Sequence, residues 1–332
     1  MEYRRLQMSK GGSFLISLPK EWVKSNGLQG GSVLKLTVSE GELRISADAT
    51  GELEKGAVSY IRQVEGLERQ IRSNYLFGAD TIVVELGKRL TPAVREEIKG
   101  AIQKLIGLEI VEEDRDTVTI QCLLQPTSMP VLSTIRRAYS LAASMHRDAE
   151  EALLSQDSEL ASSVVRRDDE VDRLYFLIVR QLRLAIRNPT VAEKLGIRPS
   201  ECLDMRMAAK YVETIADYAG AVASSVPKLE SGTDSELIDA LVSLSKQAYG
   251  IHEKAASALF KKDLALADSV LEENKSLSQS LLSVNELLMT KQPRIAALLD
   301  SIAIYFYQIG AHGIDLAELV SGTPAWMNEK EI

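Results

Sequence analysis

The chain has 332 residues, 39 Lys and Arg against 47 Asp and Glu, and a formal net charge of -8. This length allows two or three domains with cores of their own, and the acidic balance excludes a protein that coats nucleic acid over its whole surface, although not a local basic patch. The two cysteines, Cys122 and Cys202, lie far apart without a CxxC spacing, which excludes a disulfide framework and a thiolate zinc site and indicates a reducing compartment. The N-terminus has no apolar signal segment, and we find no uninterrupted apolar run of membrane-spanning length, so we expect a cytoplasmic protein without membrane insertion.

The first predicted domain, residues 1–48, is rich in short β-strands. Residues 14–18 form an apolar run, and residues 33–38 alternate apolar and polar side chains as a half-buried strand does. Glu40 and Gly41 form a tight turn, after which residues 43–45 return as the hairpin partner. Because isolated hairpins are marginally stable in water, we expect two chains to form a homodimer here.

Three segments of this domain carry a resemblance to a known family, namely GSFLISLPKEW at 12–22, NGL at 26–28 and EGELRI at 40–45. Together they resemble the AbrB/SpoVT family of swapped-hairpin domains, in which two chains interleave their strands into one DNA-binding barrel. Ser32 departs from the family, which usually has aspartate there, and this affects the turn more than DNA contacts. The resemblance implies that the residues touching DNA are Arg4, Arg5, Lys10, Ser13, Lys20 and Lys24.

The charge of the first 25 residues supports DNA contacts. Five basic residues minus two acidic ones give +3 per chain, and a dimer doubles this to +6. Lysine and arginine contacts to phosphates supply most non-specific affinity for DNA. Two alternatives stay open for this domain: DNA binding, or dimerisation with ordinary surface lysines. The family also includes antitoxins that use the barrel to dimerise, but a free-standing antitoxin would be much shorter than this chain.

Residues 53–125 are predicted to form a small α/β linker domain. A helix is expected over 53–77 and a buried strand over 81–86. Thr91 and Pro92 are typical of a helix N-cap and first helical position, and two more strands are expected on either side of residues 114–116. This segment contains no catalytic motif.

From Val131 onward the sequence is helical and repeats itself. Residues 146–164 align with residues 252–270 at an offset of 106, with nine of nineteen positions identical and no gap. A duplication of this kind predicts two antiparallel three-helix bundles, at 131–230 and 235–322. The predicted fold class is therefore mainly α, preceded by the small β-rich and α/β domains.

Two pairs of carboxylates in the first repeat are spaced four residues apart, which places each pair on one face of a helix. Asp168 falls within an apolar stripe and Asp172 on its edge, so Asp168 needs a partner, which could be arginine, backbone or a metal ion. Glu213 and Asp217 fall on the polar side of the helix 207–223. They are either part of a solvated face neutralised by Arg206 and Lys210, or half of a site for a hard cation.

The phrase VETIAD at 212–217, together with the acids at 168 and 172, resembles the core motif of the PhoU family of phosphate-uptake regulators. Members of that family are cytoplasmic, usually dimeric tandem three-helix bundles, and many carry metal clusters on such motifs. They restrain phosphate import by acting on the transporter or its sensor kinase. The resemblance implies a divalent or trivalent metal ion, Fe, Zn, Mn or Mg, with the ligands Asp168, Asp172, Glu213 and Asp217.

The second repeat lacks these ligands. Asn274 and Ser278 replace the first pair of acids, and Tyr307 and Ala311 replace the second. We therefore expect at most one metal site per chain, in repeat one. His146 and His252 occupy equivalent positions of the two repeats, and we interpret them as packing or capping residues because neither has a histidine four residues away.

These observations lead to one main prediction and two alternatives. The main prediction is a non-enzymatic, DNA-binding transcriptional regulator of phosphate uptake with a metal-binding sensor region. The first alternative is a signalling adaptor that binds components of a phosphate ABC transporter and never touches DNA. The second is a metal-dependent phosphohydrolase, although the chain contains no GxSxG, P-loop or GxGxxG motif.

Overall fold

The computed structural model describes residues 3–39, 42–47, 56–229, 235–289 and 292–320. The chain divides into two compact units, Met1–Lys55 and Gly56–Ile332. The predicted turn at 40–41 and the predicted domain ends at 48, 53, 230 and 322 lie outside the described residues. The division into four domains stays a prediction.

The N-terminal unit consists of two small antiparallel pairs and one short helix. These elements are β1 (Gln7–Met8), β2 (Phe14–Leu15), α1 (Lys20–Ser25), β3 (Lys35–Ser39) and β4 (Glu42–Ser46), with β1 paired to β2 and β3 to β4. The predicted hairpin is therefore present. No residue of this unit whose side-chain exposure is described is buried. Ten large apolar side chains are exposed instead: Tyr3, Leu6, Met8, Phe14, Leu15, Ile16, Val33, Leu36, Val38 and Leu43.

The second unit begins with a four-stranded sheet covered by two helices. Its elements are β5 (Val58–Ile61), α2 (Leu67–Leu76), β6 (Thr81–Glu85), α3 (Pro92–Gln103), β7 (Leu108–Glu113) and β8 (Thr117–Cys122). The sheet order is β5-β6-β8-β7, in which β5 is parallel to β6 and the other pairs are antiparallel. The hydroxyl of Thr91 accepts the backbone N–H of Val94, which confirms the predicted cap of α3.

The prediction of one helix over 53–77 is wrong at its N-terminal end. Residues 58–61 form β5, in keeping with their β-branched and aromatic side chains. Helix α2 starts only after Gly66, whose φ of 64° lies in the left-handed region that glycine adopts readily. The helical pattern of α2 does not extend backward through this glycine.

The remainder of the second unit is helical, which confirms the predicted fold class. The first bundle consists of α4 (Val131–Ser155), α5 (Ser158–Arg187), the short α6 (Pro189–Leu195) and α7 (Cys202–Ser225). The second consists of α8 (Ser235–Lys261), α9 (Leu264–Leu271), α10 (Asn274–Leu288) and α11 (Pro293–Glu318). Short 3-10 turns lie at Pro126–Ser128, Pro199–Glu201 and Val226–Lys228. One continuous apolar core, rich in alanine, runs through both bundles.

The two bundles share the same turn after their first helix. Gln156 and Lys262, related by the repeat offset (156 + 106 = 262), both have a positive φ, 53° and 56°. The next residues, Asp157 and Asp263, cap α5 and α9 by accepting backbone N–H groups. The local geometry thus supports the duplication predicted from sequence.

A buried chain of hydrogen bonds joins α4 to α8. His146 Nδ1 lies 3.0 Å from His252 Nε2, Ser245 Oγ lies 2.9 Å from His146 Nε2, and the Tyr139 hydroxyl lies 3.1 Å from His252 Nδ1. The offset maps Tyr139 onto Ser245 (139 + 106 = 245) and His146 onto His252. The contacts at the two ends of the chain are therefore repeat equivalents.

The protons in this chain can be assigned. The Ser245 hydroxyl donates to Glu150 Oε2 at 2.6 Å, so its oxygen is left to accept the Nε2–H of His146. His146 Nδ1 then accepts from His252 Nε2–H, and His252 Nδ1 accepts from the Tyr139 hydroxyl. Burial lowers the pKa of His146 to about 3 and the pKa of His252 well below its usual value, so both rings are neutral. The interpretation of both histidines as packing residues agrees with this arrangement.

Helix α11 is the one helix of the described residues whose length and composition would allow it to cross a membrane, over Ile295–Glu318 with a mean hydropathy of 1.2. Leu299, Ile302 and Phe306 of this segment are fully buried in the bundle core. At Gly313 a Cβ would lie within 2.9 Å of His252 backbone and Cβ atoms, so glycine is required for this close approach to α8. These are the contacts of a core helix.

Arg180 fixes the α/β region to the first bundle. This α5 side chain is 1% exposed, and its guanidinium donates to the carbonyls of Tyr75 and Ala79 at 2.7 and 2.8 Å and to Asp80 Oδ1 at 2.9 Å. It also lies over the Tyr75 ring. Removing one partner of a buried charge pair is strongly destabilising, so this contact holds the two parts together.

Candidate metal centre

Helices α5 and α7 bring three carboxylates together. Asp172, Glu213 and Asp217 each offer an oxygen, and these oxygens all lie within 4.8 Å of one another. Glu213 is only 8% exposed, Asp172 is half-buried and Asp217 is exposed. We call this group the acid cluster. The structure therefore brings together three of the four residues predicted as metal ligands.

Asp168, the fourth predicted ligand, lies one turn before Asp172 on α5. Its carboxyl group faces Gly220 of α7, where an added Cβ would lie 4.0 Å from it. Its Oδ1 atom is buried and has no hydrogen-bond partner in the described part of the chain. A buried acceptor without a partner is costly, and a cation bound beside it would satisfy it.

Lys210 is the positive charge at the acid cluster. Its ammonium group donates a hydrogen bond to Glu213 Oε2 and lies 4.0 Å from Asp217 Oδ2. The guanidinium of Arg206, the other cation expected here, lies over the ring of Tyr175, 4.8 Å from the centroid, and the Lys210 ammonium group lies 5.7 Å from the same centroid. Lys104 also lies close enough to Asp172 to lower its pKa, so two ammonium groups act on the four carboxyl groups.

The helical wheel placed Glu213 on the polar side of its helix, but the structure buries it. Helix α7 packs against α4, α5 and α11, so it has contacts on more than one face. A single apolar stripe describes a helix with one buried face, and α7 has no such simple division. The solvated-face interpretation is therefore wrong for Glu213, although Lys210 does pair with it as that interpretation expected.

The acids raise one another's pKa values. Burial, followed by the charges of Asp172 and Glu213, raises the pKa of Asp168 to about 6. Burial, followed by the charges of Glu213 and Asp168, raises the pKa of Asp217 to about 7, and the pKa of Asp172 is raised by burial and by Glu213. Partial burial lowers the pKa of Lys210, but the hydrogen bond to Glu213 and the charge of Glu213 have the larger combined effect, and the pKa of Lys210 is raised. Close negative charges in a partly dry site favour a bound cation.

The donor set indicates which cations fit. Carboxylate oxygens suit hard cations such as Mg, Mn and Fe, and are also found in zinc sites. The unpartnered Asp168 oxygen and the excess of carboxylates both fit such an ion. Asp172, Glu213 and Asp217 would hold it, with Asp168 beside them.

The second repeat offers no comparable group among the described residues. The Ser278 hydroxyl donates to the backbone carbonyl of Asn274 at 3.1 Å, a bond within α10. Tyr307 and Ala311 carry no carboxylate. Across the described ranges, the acid cluster is the one set of three or more His, Cys, Asp or Glu side chains close enough to share an ion.

The residues predicted to contact DNA all lie in the N-terminal unit and are exposed. Lys10 and Ser13 lie in and after the turn that joins β1 to β2, where the backbone N–H of Ser9 donates to the carbonyl of Ser13. Lys20 and Lys24 lie four residues apart on α1. Arg4 and Arg5 precede β1. These side chains are accessible, and their role in DNA binding stays a prediction.

Comparison with known protein families finds matches for two regions of the chain, the N-terminal unit and the first helical bundle. Residues 135–226 match the family model of the PhoU domain. The segment from within α4 to the end of α7 is therefore similar to the PhoU domain. Residues 7–50 match a second model, antidote-toxin recognition MazE, a bacterial antitoxin. The resemblance to the PhoU family and the resemblance of the N-terminal domain to AbrB/SpoVT are confirmed, the latter as an AbrB-like domain of the antitoxin type.

One solved structure of a PhoU protein shares the fold of this region. The phosphate transport system regulatory protein PhoU from Streptococcus pneumoniae superposes with a TM-score of 0.50 at 14% identity, over 57% of this chain and 91% of that one. PhoU from Pseudomonas aeruginosa gives a TM-score of 0.43 at 20% identity, over 57% and 93% of the two chains. No curated protein sequence matches the chain.

Proposed function

We propose that this protein is a dimeric, non-enzymatic regulator of phosphate uptake in the cytoplasm, which binds DNA through its N-terminal unit and a metal ion through its PhoU domain. One observation carries the proposal: a PhoU domain with an undercompensated acid cluster lies on the same chain as an antitoxin-type unit with exposed basic residues. A solved relative is described as a phosphate transport system regulatory protein, which supports the phosphate assignment.

Dimerisation is supported by the apolar surface of the N-terminal unit. Leu36 and Val38 on β3 are 60% and 80% exposed, and Phe14 on β2 is 66% exposed. Many exposed apolar side chains in one small unit indicate an interaction surface, and no residue of this unit whose side-chain exposure is described is buried. The proposed partner is the same unit of a second chain.

DNA binding is supported by the basic residues of this unit within an otherwise acidic chain. A dimer would present two copies of Arg4, Arg5 and Lys10 together with the lysines of α1. Such contacts give affinity that falls steeply with salt concentration. Metal or phosphate sensed by the PhoU domain would then alter the affinity for the operator.

The test is a titration of the full chain against the DNA upstream of its own gene and against a shuffled sequence of equal length, at two salt concentrations. The proposal predicts tight, selective and steeply salt-dependent binding. Arg4→Ala/Arg5→Ala/Lys10→Ala should abolish it and flatten the salt dependence. The matched control is Lys88→Ala/Arg89→Ala/Arg115→Ala, which removes the same charge from exposed positions of the second unit.

The exposed apolar surface also suits a second candidate, an adaptor whose N-terminal unit only dimerises and whose bundles bind a phosphate transporter component. Under this alternative the protein is a dimer that binds its upstream DNA no better than shuffled DNA. The triple variant would then leave partner binding intact. Repeating the selective titration with a chelator and with added metal or phosphate tests the sensor part, since an unchanged affinity would contradict it.

A further inference from the structure

A cleft of about 290 Å³ lies where the α/β region meets the first bundle, and none of the acid-cluster residues lines it. Its lining comes from three parts of the chain: Ile106 in the segment after α3, Arg137 and Leu141 on α4, and Glu170, Arg173 and Leu174 on α5. Its volume is close to the lower end of small-molecule pockets, roughly 300 Å³.

The wall that the α/β region contributes is firmly held. The Tyr75 hydroxyl donates to the carbonyl of Ile106 at 3.0 Å, and Tyr75 is itself fully buried. Arg180 binds the Tyr75 carbonyl from α5. The cleft is therefore present before any ligand binds, which lowers the entropic cost of binding.

Two positive charges, those of Arg137 and Arg173, line this cleft beside one negative charge, that of Glu170. Among the described residues, neither Arg137 nor Arg173 forms a hydrogen bond or an ion pair, although the chain has a net charge of -8. The nearby Lys104 is already paired, with Glu68 at 3.0 Å. Guanidinium groups present paired N–H donors that match phosphate oxygens. Two of them on one concave surface indicate an anionic ligand.

The remaining lining residues favour an organic phosphate over the free ion. Ile106, Leu141 and Leu174 supply apolar surface, which suits the carbon skeleton of a ligand. Glu170 carries a negative charge that would repel a free phosphate ion, whereas its carboxylate could accept hydrogen bonds from ligand hydroxyls. The cleft therefore combines two cationic groups, an apolar surface and a carboxylate that accepts hydrogen bonds from hydroxyl groups.

We propose that this cleft binds a phosphorylated small molecule that carries hydroxyl groups, such as a sugar phosphate or a nucleoside monophosphate. Arg137 and Arg173 would bind the phosphate, and Glu170 would accept from a hydroxyl. Arg173 follows Asp172 directly, so α5 connects this ligand to the proposed metal centre. The inference stands apart from DNA and metal binding, since none of the DNA-contacting or metal-binding residues lines the cleft.

The experiment is isothermal titration of the full chain, in chelator, with AMP, glucose 6-phosphate, inorganic phosphate and sulfate. We expect a phosphomonoester to bind more tightly than inorganic phosphate or sulfate. Arg137→Ala/Arg173→Ala should weaken it by about tenfold or more, because hydrogen bonds to charged groups are lost. Arg137→Lys/Arg173→Lys keeps the charge but not the paired donors, so its affinity for the phosphomonoester should lie between that of the unmodified chain and that of the double alanine variant.

The control is Arg69→Ala/Arg166→Ala, which removes two exposed arginines outside the cleft and should leave affinity unchanged. Glu170→Gln should raise the affinity for inorganic phosphate and thereby narrow its difference from the esters. The proposal is overturned if no phosphomonoester binds, if the free ion binds as tightly as the esters, or if the cleft and control variants behave alike. Circular dichroism of each variant verifies that it is folded.

Discussion

The histidine chain and the acid cluster, two polar groups of the helical region, differ in how far the surrounding protein satisfies their hydrogen bonds and charges. In the chain through His146 and His252, each ring nitrogen has a partner, and the Tyr139 hydroxyl also reaches the His252 carbonyl at 3.3 Å. In the acid cluster, the carboxyl groups outnumber the ammonium groups beside them, and Asp168 Oδ1 has no partner among the described residues.

The difference indicates that the histidine chain has a structural role and the acid cluster a functional one. A fully satisfied buried network stabilises one arrangement of its helices, and the histidine chain belongs to both repeats. Like charges held together without compensation cost stability, and the acids are present in only one repeat. A costly group in one copy of a duplicated fold is best explained by a ligand that it binds.

The largest expected effect is on the histidine chain. His146→Ala should lower the free energy of unfolding by about 3 kcal/mol or more, because it opens a cavity and leaves the Nε2–H of His252 without its acceptor and the Ser245 oxygen without its histidine donor. Urea denaturation measures this. His312→Ala is the control, because that ring is only half-buried and stacks on Tyr211 and Tyr218. Equal losses in the two variants would contradict the assigned role of the chain.

Metal binding should have the next largest effect, and it should be stabilising. At about one hundred times its dissociation constant, a bound ion raises the free energy of unfolding by about 2.7 kcal/mol. Thermal unfolding with Mn²⁺ and then with excess chelator measures this. Asp172→Asn/Glu213→Gln should show no metal-dependent increase. Asn274→Ala/Ser278→Ala, at the equivalent positions of repeat two, should respond as the unmodified chain does.

Neutralising acids should stabilise the metal-free protein at high pH. The raised pKa values, about 6 for Asp168 and about 7 for Asp217, mean that the folded state binds protons more tightly than the unfolded state does. Their contribution is present below the unfolded pKa of about 4 and is lost as pH rises through about 6 to 7. The free energy of unfolding of Asp168→Asn/Asp217→Asn should therefore be higher than that of the unmodified chain at about pH 8. The difference should be only about 1 kcal/mol, because water still screens both groups.

The same comparison at about pH 4, in chelator, should show little difference between the double variant and the unmodified chain. The histidine chain makes stability depend on pH in the opposite direction. Because the pKa values of its two rings are lowered, its contribution to the free energy of unfolding is present above about pH 6.5 and is lost as pH falls. A double variant that loses stability at high pH would contradict the repulsion between the acids.

The smallest effect concerns a feature that the repeats share. Asp157→Ala and Asp263→Ala should each cost about 1 kcal/mol, because each removes the side-chain cap of a helix N-terminus. Chemical denaturation of the two variants measures both losses. A large loss in only one of them would contradict the equivalence of the two turns.

Features that depend on neighbouring residues could be predicted from the sequence. The cap at Thr91, the hairpin of β3 and β4 and the repeat offset all follow from local patterns, and the offset already made His146 and His252 equivalent. Their direct contact could not be predicted, because it requires knowing that α4 and α8 pack against each other. The burial of Glu213 was missed for the same reason, since α7 has three helical neighbours.

Strand β5 and the cleft at Arg137 and Arg173 show two further limits. The four residues of β5 precede a helix, and their apolar side chains also fit a helical pattern until Gly66 is considered. Arg137 and Arg173 lie on different helices, and no motif in the chain links them. Their common cleft depends on how the α/β region docks on α5, a contact that is distant in sequence.

The most direct test of the metal centre is the metal content of the purified chain after equilibrium dialysis against Mn²⁺ or Zn²⁺, followed by elemental analysis. The account predicts one ion per chain in the unmodified protein, none in Asp172→Asn/Glu213→Gln, and one in Asn274→Ala/Ser278→Ala. An unmodified chain that takes up no metal, or a double variant in the acid cluster that takes up as much as the unmodified chain, would contradict it.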